Sequence, residues 1–370
     1  MAEGPTSGAK RIIIAVDMDY FYAQCEETRN PSVRPKPVVV CMFSGRTEES
    51  GAVATCNYVA RGYGVRSGIS IFRAKELLKG VDAAFLPPDF GLYEGISNKV
   101  MALLEEMCDR ISPESIDEAY LDVSMRARGS YEEAAALAGR IKEAVLANTG
   151  LTCSVGVGPN KLTAKMASDK SKPNGLLVVK EGDFLEQFGP LPVDKLYGVG
   201  KKTANKLEAM GAKTIAEMSQ LSSMQLQEEF GRRLGLYYFL ASKGTDDEPL
   251  NDWKREQVGR MVTLKEDTRD PGLISQALEG MAKEIAQELA TTGLSYRSVG
   301  VFVIDTILKG HSRSRSLKSE ERSADSIVRV GLQLVEELFE DEPDVIARRL
   351  SVRVASLKST VGQTDLASFY

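Results

Sequence analysis

Two stretches of this chain set acids directly against apolar runs. Ile12-Ile13-Ile14-Ala15-Val16 leads straight into Asp17-Met18-Asp19, and Asp117-Glu118 leads straight into Ala119-Tyr120-Leu121. Short apolar runs of this kind are expected to form buried strands. A buried strand cannot carry an unpaired carboxylate cheaply, so something must neutralise Asp17, Asp117 and Glu118. Divalent cations would do so, because carboxylates supply the hard oxygen donors they prefer. Two such ions held by carboxylates are the machinery of phosphoryl and nucleotidyl transfer.

The rest of the composition narrows the field. With 370 residues the chain exceeds one ordinary domain, and its 43% hydrophobic and 27% charged content is that of a globular protein. No apolar run approaches the roughly 18 residues a membrane helix needs, and residues 1–10 lack the apolar centre of a signal peptide. A cytoplasmic location with no membrane partner is expected. The cysteines (Cys25, Cys41, Cys56, Cys108 and Cys153) are scattered and never form a Cys-x-x-Cys pair, which suits a reducing compartment and argues against zinc. The single histidine, His311, leaves little room for chemistry built on a histidine base. In its basic, serine-rich surroundings it is expected to be exposed, facing at most a phosphate.

A net charge of −5 argues, on its face, against a nucleic-acid partner. Its distribution argues otherwise. Lys161, Lys165, Lys170 and Lys172 stand against Asp169 alone, and Lys309, Arg313, Arg315, Lys318 and Arg322 against Glu320 and Glu321. Local stripes decide such binding rather than the total.

Along the chain, strands are expected at 11–16, 38–42, 152–157 and 176–179, with a hairpin over 109–124 that carries Asp117 and Glu118. Asp19 can cap a helix running to about residue 28. Further helices are expected from 57, over 71–78, 93–107 and 131–148, and as a basic helix after Gly158-Pro159-Asn160. From 181 to 243 the pattern turns helical with short glycine turns. Residues 244–255 form a charged linker holding Trp253. Strands at 258–264, 298–304, 312–317 and 349–357 then alternate with helices over 273–291 and 324–339. The result is an α+β multidomain protein with a small all-α domain in its middle.

Four motifs, in order, resemble the Y family of translesion DNA polymerases, in its DinB or DNA polymerase IV branch and most closely its archaeal members. They are Asp17-Met18-Asp19-Tyr20-Phe21-Tyr22-Ala23-Gln24, Ala52-Val53-Ala54-Thr55-Cys56-Asn57-Tyr58-Val59-Ala60-Arg61, Ser115-Ile116-Asp117-Glu118-Ala119-Tyr120 and Asn160-Lys161-Leu162-Thr163-Ala164-Lys165. Lys172-Pro173-Asn174-Gly175 and Gly198-Val199-Gly200 add to the likeness, which covers nearly the whole chain. The resemblance implies a right-hand polymerase. Its parts would be a tail at 1–10, a palm at 11–38 and 88–180, fingers at 39–87, and an all-α thumb at 181–244. A linker at 245–256, a little finger at 257–357 and a clamp-binding tail at 358–370 would follow.

It also implies roles for single residues. Asp17, Asp117 and Glu118 become the catalytic carboxylates and, with the Met18 carbonyl, the ligands of two Mg2+ ions. Tyr22 becomes the steric gate, an aromatic ring beneath the sugar that leaves no room for a 2′-hydroxyl. Phe21, Tyr22, Thr55, Tyr58, Arg61 and Lys161 become contacts of the incoming dNTP, with Tyr58 and Arg61 three apart on one helix face. Small residues in the fingers (Gly51, Ala52, Ala54 and Gly68) imply a loose lid over the nascent base pair and low fidelity, Met42 being a departure toward bulk.

For primer–template DNA, Gly198, Gly200, Lys201 and Lys202 resemble a helix–hairpin–helix that binds a phosphate. Arg297, Arg313 and Arg315 would grip the backbone from a sheet, with Arg313 and Arg315 on one side of their strand. The terminal Gln363, Leu366, Phe369 and Tyr370 resemble a peptide that docks on a PCNA-type sliding clamp. The expected activity is primer extension with dNTPs past damaged template, by a monomer. A catalytically silent DNA- or clamp-binding factor and a nucleotidyl cyclase with a related palm are the alternatives.

Overall fold

The computed structural model describes residues 11–47, 49–250 and 255–359. They divide between two compact units, the first taking residues 11–41, 54–68 and 77–250 and the second 42–53, 69–76 and 255–359. The stretch 39–87 therefore contributes to both. Residues 1–10, Trp253 and the residues expected to meet a clamp, Gln363, Leu366, Phe369 and Tyr370, lie outside the described residues.

The first unit is built on a five-stranded sheet in the order Arg110–Pro113, Glu118–Asp122, Ile13–Met18, Cys153–Gly158, Leu176–Val178. Only its last pair is parallel. Ile13–Met18 runs through the middle and every one of its residues is buried. Strand alternation divides its side chains between two faces. Ile14, Val16 and Met18 join the core made with helices Phe90–Glu106 and Tyr131–Thr149, through Val100, Leu104, Ala134 and Ile141. Ile13 and Ala15 pack on the other side with Tyr120 and Ala164.

Ala164 belongs to helix Lys161–Ser171, whose start is capped by the Asn160 side chain accepting from Thr163 N at 2.8 Å. This helix lies so close to strand Cys153–Gly158 that a Cβ on Gly156 would fall 2.0 Å from the Ala164 carbonyl oxygen. Only glycine permits that approach.

Asp19 does not cap the helix Phe21–Arg29 as expected. Its buried carboxylate accepts from the Thr152 and Ser154 hydroxyls at 2.8 and 2.7 Å and from Asn174 N at 2.9 Å. Burial makes three donors worth more to it than one helix end. The cap position is Tyr20, at φ 37°, a left-handed conformation of the kind that collects at functional turns.

Between Phe184 and Ala241 the first unit is helical, as expected, around Phe188, Leu207, Ile215, Met218 and Leu226.

The second unit carries a four-stranded antiparallel sheet in the order Gly310–Glu321, Leu294–Asp305, Ala347–Ala355, Gln257–Thr268. Helices Pro271–Thr292 and Ala324–Asp341 cover one face of it, packing Leu278, Ile285, Ile327 and Leu334 on Val299, Val301, Val303, Leu350 and Val352. Two expectations are corrected here. Lys358–Ser359, assigned to the tail, pairs as a short strand with Leu294 and Ser295. His311 is buried rather than exposed, with Nδ1 2.6 Å from Glu342 Oε2 and Nε2 3.0 Å from Asp305 Oδ2. Its register partner Val303 faces the helices, so the same alternation turns His311 inward.

Candidate active site

Asp17 continues the alternation of Ile13 and Ala15, so its side chain emerges on the face covered by helix Lys161–Ser171. Antiparallel register sets Glu118 opposite Asp17, and the Asp117 carbonyl accepts from Met18 N at 2.9 Å. The two acidic motifs thus meet at neighbouring strand ends. Helix Lys161–Ser171 then delivers a cation. Lys165 Nζ lies 2.7 Å from Asp17 Oδ2 and 2.9 Å from Glu118 Oε2. Lys172, just past the helix, places its Nζ 2.7 Å from the same Asp17 oxygen and 3.1 Å from Asp169 Oδ1. Burial pushes the Glu118 carboxyl above its ordinary value, against the pull of Lys165. Burial also disfavours the charge on Lys165, but Asp17 and Glu118 outweigh it and hold that ammonium above the ordinary lysine range. Asp117 is turned to Ser115, whose hydroxyl donates to Oδ1 at 2.7 Å.

Beside these groups opens a cleft of about 290 Å3. Asp17, Met18, Phe21, Tyr22, Thr55, Arg61 and Asp117, all expected at the site, line it. Tyr58 lies under the Arg61 guanidinium, 4.8 Å from ring centroid to Cζ, as their shared helix face requires. The Tyr58 hydroxyl is buried and has no hydrogen-bond partner among the described residues. Lys161 is not a lining residue. Its Nζ is held by Glu114 at 2.8 Å and Glu248 at 3.2 Å. The cleft takes its lysine from Lys172 instead, along with Tyr20, Ala54 and Ser67. The signal for Lys172 was its place before Pro173, which fixes extended backbone and ends the helix at the cleft.

The residues expected to hold DNA are placed in two ways. Gly198, at φ 83°, turns the chain where a Cβ would press on the Tyr237 hydroxyl at 3.0 Å and on its ring at 3.1 Å. Gly200 then starts helix Lys201–Ala209 with no side-chain cap, and Lys201 and Lys202 are exposed in its first turn. Arg313 and Arg315 do share one side of their strand, but it is the side covered by helix Ala324–Asp341. Arg313 pairs with Asp341 and Glu342, and Arg315 with Glu337 and Gln333. Arg297 is exposed, its Nε donating to the Leu317 carbonyl. The uncovered face carries Ser312, Ser314 and Ser316 and, in register across the sheet, Gly300, Phe302, Ser351 and Arg353. Arg349 shares that face, with a buried Nε that has no hydrogen-bond partner among the described residues. Arg349 and Arg353 were readable from the alternation of Arg349, Ser351 and Arg353 with Leu350, Val352 and Val354.

Among the described residues no three His, Cys, Asp or Glu side chains are poised as a metal cage. Ammonium groups stand between the carboxylates instead. The donor set nonetheless fits a hard divalent ion, because Asp17, Glu118 and Asp117 offer only oxygen, and Asp17 already attracts two cations to one atom.

Comparison with known proteins agrees with this architecture. Residues 16–169 match the impB/mucB/samB family, 255–366 match that family's C-terminal domain, and 194–246 match the thumb domain of DNA polymerase iota. The chain is 40% identical to DNA polymerase IV of Nitrosopumilus maritimus, covering 97% of this chain and 99% of that one. It is 34% identical to DNA polymerase IV of Saccharolobus solfataricus, with 97% and 99% covered. Among solved structures, a Y-family chimera of Dbh and Dpo4 superposes with a TM-score of 0.89 at 34% identity, over 94% of this chain and all of that one. An insertion ternary complex of Dbh gives 0.69 at 34% identity, with 94% and 100% covered.

Fold and cleft together define a right-hand polymerase, with palm, fingers, helical thumb and a C-terminal α+β little finger. The chain belongs to the Y family of DNA polymerases, in its archaeal DinB branch, and is a DNA-directed DNA polymerase of the translesion kind. Membership implies dependence on a divalent metal ion.

Proposed function

We propose that the cleft beside Asp17 is where a dNTP is joined to a primer. The observation that carries this is the convergence of Asp17, Asp117, Tyr22, Arg61 and Lys172 on one small cleft. Asp17, Asp117, Glu118 and the Met18 carbonyl would hold two Mg2+ ions. Such ions, when bound, lower the pKa of the primer 3′-hydroxyl and neutralise charge on the leaving pyrophosphate. Arg61 offers a planar fork to the triphosphate and Lys172 a point charge, while the unpartnered Tyr58 hydroxyl gains an acceptor there. Tyr22 closes the floor of the cleft under the sugar and excludes a 2′-hydroxyl by its bulk.

Primer–template DNA is held by free N–H groups at the start of helix Lys201–Ala209 and by the uncovered face of the second unit's sheet. Dbh, at 34% identity, has been captured in insertion ternary and post-insertion binary complexes, which supports the same substrates here. Gln363, Leu366, Phe369 and Tyr370 recruit a PCNA-type clamp, supported by a pattern that ends in two aromatics. The protein works as a monomer in the cytoplasm, where its five free cysteines stay reduced.

Primer extension tests this reading. The wild-type chain extends a primer, and Asp117→Ala binds the duplex but does not extend it. A wild type that binds without extending is the silent DNA-binding factor, and release of a cyclic nucleotide without primer is the cyclase.

A further inference from the structure

The ring of Tyr22 is not free-standing. It lies flat on Tyr93, with centroids 4.4 Å apart and planes 12° apart. Phe90 stands edge-on to both rings, 6.1 Å from Tyr22 and 6.2 Å from Tyr93. Tyr93 is fully buried, whereas Tyr22 faces the cleft. The flat stack means that Tyr22 cannot sink away from the cleft without displacing Tyr93.

Tyr93 is itself anchored. Its hydroxyl donates to Glu26 Oε1 at 2.7 Å, and the other Glu26 oxygen is paired with Arg29. Arg29 reaches Asp89 at 2.7 Å, and Asp89 caps the helix that carries Phe90 and Tyr93 by accepting from Leu92 N at 3.0 Å. Tyr22, Glu26 and Arg29 lie on one face of helix Phe21–Arg29 at spacings of four and three. The circuit is therefore closed. One helix supplies the cleft ring and a buried acid, and the other supplies the ring behind it and the cap that fixes the acid's arginine. Plain core packing asks for no such arrangement, because a phenylalanine at 93 with an apolar residue at 26 would fill the space without burying a carboxylate.

We infer that Tyr93 is a positioning residue for sugar discrimination. It holds the Tyr22 ring at the level where a 2′-hydroxyl collides with it, and Glu26 fixes Tyr93 in turn. The inference rests on Tyr22 being the steric gate. A gate rejects by clash only while it resists displacement, and a shift of about 1 Å is enough to change such geometry materially.

The test measures kcat/KM for a dNTP and for the ribonucleotide with the same base, and takes the ratio. Tyr22→Ala collapses the ratio if Tyr22 is the gate. Tyr93→Leu, which removes the stack, is expected to lower it roughly threefold to tenfold, in line with the worth of an aromatic pair. The ratio falls because the ribonucleotide is used better. A merely structural role lowers both efficiencies together and leaves the ratio alone. Tyr93→Phe keeps the ring and loses the anchor, so its ratio should fall between those of the wild type and Tyr93→Leu. If Tyr22→Ala leaves the ratio unchanged, the gate assignment fails. If Tyr22→Ala collapses the ratio while Tyr93→Leu keeps the wild-type value, the gate stands and the inference is overturned. Should Tyr93→Leu not fold, Tyr93→Phe and Glu26→Gln decide it, and wild-type ratios in both overturn it.

Discussion

A single ammonium group, Lys165 Nζ, bridges Asp17 and Glu118 at 2.7 and 2.9 Å. The lysine and Asp17 side chains are only 10% and 8% exposed, so little water shares in screening the pair. Lys165 therefore supplies both acids with positive charge, which divalent ions would supply on the proposed reading of the cleft. Breaking a buried pair from one side costs about 3–5 kcal/mol. Lys172 still serves Asp17 after the change, which places Lys165→Met near the low end, about 3 kcal/mol. Urea melts in EDTA should show that loss, and added Mg2+ should recover part of it. A variant as stable as the wild type in EDTA would mean that the bridge carries no weight.

That bridge shows where sequence patterns stop informing. Burial of the Ile13–Met18 strand followed from its apolar run, whereas the meeting of Asp17 with Glu118 was implied only by the family resemblance. Which lysine reaches Asp17 did not follow, since Lys161, Lys165 and Lys172 all sit on or beside one basic helix. The choice depends on how that helix lies on its strand, and the close approach at Gly156 sets this. Alternation likewise placed Arg313 and Arg315 together but could not say which face helix Ala324–Asp341 would cover. His311 was misjudged because its partners, Asp305 across a turn and Glu342 after a helix, are brought near only by tertiary packing.

The two sets of arginines on the second unit's sheet should behave differently toward DNA. Arg353 is exposed on the uncovered face, while Arg315 is tied to Glu337 at 2.5 Å on the covered one. An arginine that neutralises one phosphate contributes about 0.9 to the slope of log affinity against log salt. Arg353→Ser should weaken duplex binding and flatten the slope by about that amount. Arg315→Ser should leave the slope in place and cost stability of no more than about 1 kcal/mol, as for an exposed pair. Fluorescence anisotropy with a labelled duplex over a salt series separates them, and an equal loss of slope in both variants would contradict the assignment of faces.

His311 ties the Asp305 turn to the end of helix Ala324–Asp341, with a carboxylate facing each ring nitrogen. The His311 hydrogen bond holds the Glu342 carboxyl below its ordinary range. Burial pushes Asp305 upward, but its hydrogen bonds from His311 and from Lys309 and Ile307 N–H more than offset this, and its pKa is lowered too. A carboxyl whose folded pKa is depressed adds stability above its unfolded pKa and loses it as pH falls through the folded value. The ordinary values are 3.8 for Asp305 and 4.5 for Glu342, so the loss begins near these and continues below them. His311→Gln removes much of the depression. Its melting temperature should be lower than that of the wild type at neutral pH, and the gap should narrow as pH falls below about 4. Thermal melts across that range check both signs, and a gap that widened toward acid would show that the carboxylates are not what His311 stabilises.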